Sequence, residues 1–226
     1  MEEWLLLRSG AGSAALNMAI DETLLLHVAQ VGHPVLRVYA WSEDAASFGY
    51  FQRYTDAAKT TNLRPLVRRP TGGGIVPHDR DWTYSVVLPP NHFWYRLKAI
   101  ESYRRVHEWI QGAFAEIGVP AQLASEARRE VRGQCFVGAE QFDVLANNRK
   151  IAGAAQRRTR EGLLIQGSVQ PPPGLQRAQW ETALCTRAAK QWKLRWLDWQ
   201  LPLETLNAAQ TLARQKYATS TYNERR

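Results

Sequence analysis

The segment RRPTGGGIVPHD, residues 68–79, brings charged side chains and consecutive glycines together in one short stretch. Glycine adopts backbone torsions that other residues avoid, and successive glycine amides can form a nest for an anion. Arg68 and Arg69 add fixed positive charge at one edge, and His78 with Asp79 follow at the other. These residue types indicate a site for an anionic or strongly polarised group. A flexible surface loop remains the alternative for a glycine triplet considered without its neighbours.

The glycine spacing differs from that of the common nucleotide-binding loops. It fits neither G-x-x-x-x-G-K-[ST] nor G-x-G-x-x-G, so the rules for those loops do not apply. His78 gains interest only from the surrounding motif, because an isolated histidine is usually a structural residue.

Two cysteines, Cys135 and Cys185, are too few for a disulfide framework. In a reducing compartment each is either a small buried side chain or a reactive thiol. Cys185 lies in the helical segment WETALCTRAAK, where we expect it to be packed. Cys135 lies in a polar stretch, where a nucleophile and an inert loop cysteine are both open readings.

Four segments with helical periodicity flank these residues, at 13–30, 101–117, about 176–190 and 203–215. In the first, apolar residues recur four apart, at Leu16, Ile20, Leu24 and Val28. Ser13 is its candidate N-cap and Gly32 its candidate stop.

Strand-like patterns alternate with these helices, at 35–40, 83–88, 141–146, 150–155 and 162–169. Asn147-Asn148-Arg149 predicts a tight hairpin, because asparagine tolerates a positive φ. We expect a polar loop over 121–140 and the end of the sheet at Pro171–Pro173. This order predicts an α+β fold rather than a doubly wound sheet or a sandwich.

The bulk composition narrows the class of protein. A chain of 226 residues fits one domain, and we expect residues 1–226 to form it. With 45% hydrophobic residues but no apolar run of about 18, we expect neither a membrane helix nor a membrane partner. The N-terminal apolar run is too short for a signal peptide, which favours the cytoplasm.

A formal net charge of +8 indicates an acidic partner, which could be nucleic acid, an anionic membrane surface or an acidic protein. The hypothesis that this is a nucleic-acid-binding protein is weak, because the sequence lacks a basic helix or an interleaved aromatic platform. Such a protein would bind DNA or RNA with a steep salt dependence.

The motif RRPTGGGIVPHD resembles the RRxxGGGxVxHD signature of the lipoate-protein ligase A and octanoyltransferase family, which is related in fold to biotin-protein ligases. Further segments resemble family motifs in the same order: NMAIDETLL, LRVYAW, SFGYFQ, KIAGAAQRR and LARQKYATS. The similarity extends over almost the whole chain. It implies a biotin/lipoate protein ligase-like catalytic domain, with mixed and antiparallel sheets flanked by helices.

The resemblance implies transfer of an octanoyl or lipoyl group to a specific lysine of an acceptor domain. Lys150, which opens KIAG, matches the family lysine that contacts the acyl carbonyl. An ammonium suits that role, since negative charge grows on the carbonyl oxygen in the transition state. An exposed lysine at a strand end is the alternative. The residues implied in substrate binding are Arg68, Arg69, Thr71, Gly72, Gly73, Gly74, His78, Asp79, Gly153 and Ala154.

Cys135 stands 150 − 135 = 15 residues before Lys150, a placement similar to that of the cysteine-loop octanoyltransferases. In the classical octanoyltransferases the cysteine falls where this chain has Gly167 or Ser168. The resemblance therefore implies an acyl thioester on Cys135, although VGAE in this loop departs from the family pattern. A free thiol is mostly protonated at neutral pH, so we expect Lys150 both to activate Cys135 and to hold the oxyanion.

The family also implies the partners. The donor would be acyl carrier protein or a glycine-cleavage H-type protein, and the acceptor a lipoyl domain of H protein or of a 2-oxoacid dehydrogenase subunit. These proteins are typically acidic, and Arg157, Arg158 and Arg160 could dock them, although a solvated charged turn is the commoner reading. We expect no nucleic-acid partner, no metal site and no cofactor requirement for transfer.

An ATP-dependent lipoate-protein ligase, or the catalytic part of a split ligase, is the alternative. That enzyme would form a lipoyl-adenylate and would need ATP and Mg²⁺ but no nucleophilic cysteine. The additional C-terminal domain of the two-domain ligases is not expected in this chain, which favours transfer from a thioester.

Overall fold

The computed structural model describes residues 1–129 and 138–225. Its helices are α1 (Ala14–Val31), α2 (Tyr54–Thr60), α3 (Ala99–Glu116), α4 (Arg177–Trp192), α5 (Leu203–Leu212) and α6 (Ser220–Asn223). Its strands are β1 (Glu2–Gly12), β2 (Val35–Trp41), β3 (Ala45–Phe48), β4 (Leu66–Arg68), β5 (Val76–His78), β6 (Trp82–Leu88), β7 (Gln122–Leu123), β8 (Arg128–Arg129), β9 (Gly138–Ala139), β10 (Val144–Ala146), β11 (Arg149–Thr159), β12 (Gly162–Val169) and β13 (Leu194–Trp199). A 3₁₀ helix spans Phe93–Arg96, and a π-helical turn spans Ala213–Tyr217.

In the described part of the chain, eight strands form the main sheet in the order β13-β1-β2-β6-β12-β11-β10-β7. The pairs β1–β13 and β1–β2 are parallel, and the other pairs are antiparallel. A smaller sheet has the order β4-β3-β5, and β8 pairs with β9. The predicted α+β class, with mixed and antiparallel sheets flanked by helices, is confirmed.

The two faces of the main sheet carry separate hydrophobic cores. On one face Trp4, Leu6 and Val38 pack with buried residues of α3 and α4, and Trp109 is among them. On the other face Leu5 and side chains of α1 and α5 form a second cluster. The apolar run in β1 is therefore buried on both sides, as expected for a strand covered by helices on both faces.

Local signals placed several elements correctly. The Ser13 side chain accepts the amide of Leu16 and caps α1, and Gly32 ends the helix at φ 76°. Asn147 and Asn148 have φ of 49° and 60° in the predicted hairpin. The strand predicted at 162–169 is β12.

Other predictions need correction. The sheet does not end at Pro171–Pro173, because β13 returns after α4 and pairs with the N-terminal strand β1. The loop predicted over 121–140 contains β7, β8 and β9 in its described part. These short strands have too few residues for a periodicity, so only their pairing defines them: β7 pairs with β10, and β8 pairs with β9. β11 is longer than predicted and β10 is shorter.

None of the helices in the described ranges combines the length and the apolar character that a membrane crossing requires.

Candidate functional site

A cavity of about 40 Å³ lies between one face of the main sheet and the smaller sheet, with α1 also contributing to its wall. β11 and β12 supply the largest share of the wall, β3 and β5 face them, and Met18 of α1 closes one side. Since one water needs about 10 to 15 Å³ on this measure, the cavity holds a few waters as it stands.

Small residues keep the sheet side of the cavity open. Gly153, Ala154 and Ala155 follow one another on β11, and Gly153 pairs with Ser168 of β12 while Ala155 pairs with Gln166. Larger side chains on β11 would fill this space. The predicted substrate-binding residues Gly153 and Ala154 both line the cavity.

Lys150 lies at the start of this wall with its ammonium held by a buried carboxylate. Its Nζ is 2.7 Å from Oδ2 of Asp143, and the side chains are 6% and 0% exposed. Asp143 also accepts the Tyr103 hydroxyl at 2.5 Å and the backbone amide of Glu140 at 2.6 Å. A buried carboxylate with several donors is the arrangement that keeps a buried charge satisfied. Lys150 is thus a fixed cation at the cavity, not an exposed lysine at a strand end.

Gly153 is required by this ion pair. A Cβ on Gly153 would lie 2.6 Å from Cε and 2.7 Å from Nζ of Lys150, and 3.1 Å from Oδ1 of Asp143. Any side chain at this position would displace the ammonium. On β12, a Cβ on Gly167 would lie 2.1 Å from Cζ of the buried Tyr84 ring. The Tyr84 ring therefore fills the space that a side chain at position 167 would need, and a cysteine there would clash with it.

The groups around the ion pair are held neutral by burial. Burial, and then the charge of Asp143, raise the pKa of Tyr103 well above its usual value. Burial also raises the pKa of Tyr84, and it lowers the pKa of His107 to about 4. The ion pair of Asp143 and Lys150 thus has neutral polar groups as neighbours.

His78 lies in the cavity wall within a chain of hydrogen bonds. Its Nε2 is 2.8 Å from Oγ of Ser47, and its Nδ1 is 2.9 Å from Oδ2 of Asp81. The Trp41 ring stacks on the imidazole at 3.7 Å between centroids. The carboxylate partner of His78 is therefore Asp81, whereas Asp79 is exposed and does not line the cavity.

The two arginines of the motif have different surroundings. Arg68 is 0% exposed and donates to the carbonyl oxygens of Tyr50, Gln52, Tyr222 and Asn223, so it fastens α6 to the loop after β3. Because these bonds direct its guanidinium inward, Arg68 supports the fold and does not line the cavity.

Arg69 does line the cavity and organises the glycine loop. Its guanidinium donates to the carbonyl oxygens of Gly72 and Gly74, at 2.6 to 3.0 Å, and to Oγ of Ser47 at 3.2 Å. Gly73 has a φ of 88°, which favours glycine. The Gly73 carbonyl oxygen packs directly against Gly49. A Cβ on Gly49 would lie 2.0 Å from this oxygen, so a side chain at position 49 would clash with the loop.

Thr71 connects this loop to the polar layer beneath the cavity. Its hydroxyl donates to Oε1 of Gln166 at 2.7 Å, and Nε2 of Gln166 donates to Asp21 at 2.8 Å. Asp21 forms a fully buried salt bridge with Arg37 at 2.7 Å. This chain of hydrogen bonds connects the glycine loop to Asp21 of α1 and Arg37 of β2.

Of the two cysteines, the structure describes Cys185 but not Cys135. Cys185 is half-buried in α4, and burial raises the pKa of its thiol to about 11, in agreement with a packed side chain. Cys135, and with it the predicted approach of its thiol to Lys150, lies outside the described residues. Among His, Cys, Asp and Glu of the described ranges, no group of three or more could hold a metal ion.

Sequence reasoning missed Asp143, Asp81 and Ser47. Asp143 lies seven residues before Lys150 in QFDVLANNRK, on the paired strand of the predicted hairpin. An acidic residue on the strand opposite a candidate lysine was an available signal. No local signal links Ser47 to His78, because their contact depends on the pairing of β3 with β5.

The lipoyl protein ligase A/B catalytic domain family matches residues 13–171. The octanoyltransferase LipM of Exiguobacterium sp. strain AT1b is 40% identical over 180 residues, covering 74% of this chain and 65% of that protein. The octanoyltransferase LipM of Bacillus subtilis strain 168 is 36% identical over 182 residues, with the same coverage. The chain spans slightly less than two thirds of the length of these relatives.

Solved structures share the fold at lower identity. Lipoate-protein ligase A bound with ATP superposes with a TM-score of 0.81 at 21% identity over 99% of each chain. A bipartite lipoate protein ligase from Thermoplasma acidophilum, solved with its E2 lipoyl domain, gives 0.73 at 20% identity over 99% of this chain and 96% of that one. The family match covers the glycine loop, Lys150 and the cavity between them, and so this chain belongs to the lipoyl protein ligase A/B catalytic domain family.

Proposed function

We propose that this protein is an octanoyl- or lipoyltransferase, which moves a medium-chain acyl group from a carrier-protein thioester to a lysine of a lipoyl acceptor domain. The observation that carries the proposal is the buried Lys150 ammonium, fixed by Asp143 beside a cavity walled by glycine and alanine. The similarity to proteins named octanoyltransferase LipM supports the same reaction.

The proposed reaction has two acyl-transfer steps. With acyl carrier protein as the donor, the Cys135 thiolate attacks the thioester carbonyl, a new C–S bond forms, and the carrier thiolate leaves. With an H-type protein as the donor, the thiolate attacks the amide carbonyl on the donor lysine, the same C–S bond forms, and the lysine leaves as an amine after its nitrogen takes up a proton. The acceptor lysine then attacks the acyl-cysteine, an amide forms, and the Cys135 thiol is released. In both steps the carbonyl oxygen becomes an oxyanion, which the prepositioned Lys150 ammonium stabilises more strongly than it does the ground state.

Described residues that follow the Cys135 segment in the sequence are anchored at Lys150, which supports the proposal. The Glu140 amide donates to Asp143, which is the partner of Lys150. The β8–β9 pairing also brings the flanking residues 129 and 138 together.

The hydrocarbon chain would run along β11 over Ala154 and Ala155. Binding of an eight-carbon chain along this wall would require the lining side chains to adapt to its shape. Met18 is the lining side chain best suited to move, because an unbranched thioether adapts to irregular space.

The proposed donors are acyl carrier protein or a glycine-cleavage H-type protein, and the proposed acceptors are lipoyl domains of H protein or of 2-oxoacid dehydrogenase subunits. The net charge of +8 suits acidic partners of this kind. The proposal needs neither ATP nor a metal, and it places the reaction in the cytoplasm, where Cys135 stays reduced.

The test is to supply octanoyl carrier protein and an acceptor lipoyl domain without ATP, and in parallel free octanoate with ATP and Mg²⁺. We expect intact-mass analysis to find one octanoyl group on the acceptor in the first reaction. An acceptor domain whose target lysine is replaced by arginine is the control. Modification only from the free acid, with release of pyrophosphate, would replace this proposal with an ATP-dependent ligase.

Asp143 is proposed as the positioning residue of Lys150. Asp143→Asn should lower kcat for acyl transfer at least tenfold and leave KM for the octanoyl donor unchanged, because the cavity wall is intact but the ammonium loses its counter-charge. Stability should fall by about 3 kcal/mol, as when one partner of a buried ion pair is neutralised. Steady-state kinetics and urea unfolding measure the two effects.

The matched control is Glu181→Gln. Glu181 pairs with Arg177 at 2.6 Å in a partly exposed position on α4, so its loss should cost less than about 1 kcal/mol and should not affect kcat. Equal behaviour of the two variants would contradict the role of Asp143.

A further inference from the structure

The turn after β3 carries an exposed aromatic side chain on the outer side of the glycine loop. Phe51 is 74% exposed, and its ring contacts Tyr50 edge-on at 5.1 Å. We define the Phe51 patch as Tyr50, Phe51, Arg157 and Arg225.

The patch is basic as well as aromatic. The Arg157 guanidinium lies 5.5 Å from the centre of the Tyr50 ring, and the Arg225 guanidinium lies 4.4 Å from it. Aromatic residues and arginine are the types enriched at protein interfaces, and they supply most of the energetic hot spots.

The patch is continuous with the wall of the cavity. The Tyr50 amide donates to the carbonyl oxygen of Thr71 at 2.9 Å, and Arg157 donates to that of Pro70 at 3.3 Å. The same loop presents Arg69 to the cavity. A protein bound at the Phe51 patch would therefore rest against the outside of the loop whose inner side faces the cavity.

We propose that the Phe51 patch docks the acidic domain that presents the acceptor lysine. This inference rests on the proposed function and adds the surface that the acceptor uses. Charge complementarity favours an acidic partner, since two arginines lie over the ring of Tyr50, the neighbour of Phe51, and the chain carries a net charge of +8. A carrier protein delivers its acyl group on a long flexible arm, whereas a lysine side chain has only a four-carbon stem. The acceptor domain must therefore contact the surface next to the cavity.

The test separates the two half-reactions. Phe51→Ser should leave the rate of self-acylation by octanoyl carrier protein unchanged and should lower kcat/KM for the acceptor domain at least tenfold, mainly through KM. Arg225→Glu should have the same effect, and added salt should weaken the wild-type reaction with the acceptor. Thermal unfolding of each variant verifies that it is folded.

Matched controls lie elsewhere on the surface. Leu203 is 72% exposed on α5, and Arg214 is exposed in the π-helical turn, so Leu203→Ser and Arg214→Glu should react as the wild type does. If Phe51→Ser and Leu203→Ser had the same kcat/KM for the acceptor domain, the inference would be overturned. Slower self-acylation with normal acceptor transfer would assign the patch to the donor and overturn it as well. A wild-type protein that is neither acylated nor active would instead refute the proposed function.

Discussion

Replacement of Cys135 by alanine is expected to abolish the acyl adduct and acyl transfer together. The proposed reaction stores the acyl group as a thioester, and alanine offers no nucleophile for the carbonyl carbon. After incubation with octanoyl carrier protein, the wild-type protein should gain the mass of one octanoyl group, which hydroxylamine removes. The Cys135→Ala protein should keep its unmodified mass.

Cys185→Ala provides the control for thiol chemistry. The pKa of Cys185 is raised to about 11 by burial, so its thiol stays protonated and is a poor nucleophile. Its removal should leave both the adduct and the transfer rate unchanged. Transfer that persists in Cys135→Ala, with release of pyrophosphate from ATP, would refute the thioester route.

Replacement of Lys150 by methionine should lower kcat for transfer by about 10² to 10³, the usual cost of removing one group that stabilises an oxyanion. Methionine keeps a long unbranched side chain, one atom shorter than that of lysine, and carries no charge. The measurement is the single-turnover rate of acylation by octanoyl carrier protein, with folded protein confirmed by circular dichroism. The variant also leaves Asp143 unpaired in a buried position, so a loss of stability should accompany the loss of rate.

Two further variants separate these effects. Lys150→Met combined with Asp143→Leu removes both charges, which should restore stability but not rate. Lys190→Met removes an exposed lysine that lies 3.5 Å from Glu116, and it should change neither quantity. A Lys150→Met protein that transfers within about threefold of the wild-type rate would refute the electrostatic role of Lys150.

The composition of the glycine motif suggests that its arginines supply charge to a bound anion, but in the structure they donate to backbone carbonyls. The Arg68 guanidinium donates to backbone carbonyls of the turn after β3 and of the C-terminal segment. The Arg69 guanidinium donates to the carbonyls of Gly72 and Gly74. Arg69 thus shapes the glycine loop from within, whereas Arg68 joins α6 to the turn after β3. The close approach of the Gly73 carbonyl to Gly49 explains the single glycine in SFGYFQ.

The sequence by itself determined the features that depend on neighbouring residues. The cap of α1 at Ser13, the stop at Gly32 and the asparagine hairpin before Lys150 were predictable, because a few adjacent torsions and hydrogen bonds decide them. The ordered motifs also indicated the family, which the match over residues 13–171 confirms.

Only the tertiary structure decided which distant groups meet. The pairing of β1 with β13 and the contact of Ser47 with His78 each join segments whose own periodicity does not indicate the partner. The sequence places Asp143 on the strand opposite Lys150, but only the structure shows that the two side chains are buried and form an ion pair. Strand pairing and burial select these contacts from many compatible ones, because a carboxylate or an ammonium inside the protein is stable only where its counter-charge and hydrogen-bond donors are brought to it. The fold, and not the motif, makes Lys150 a fixed cation.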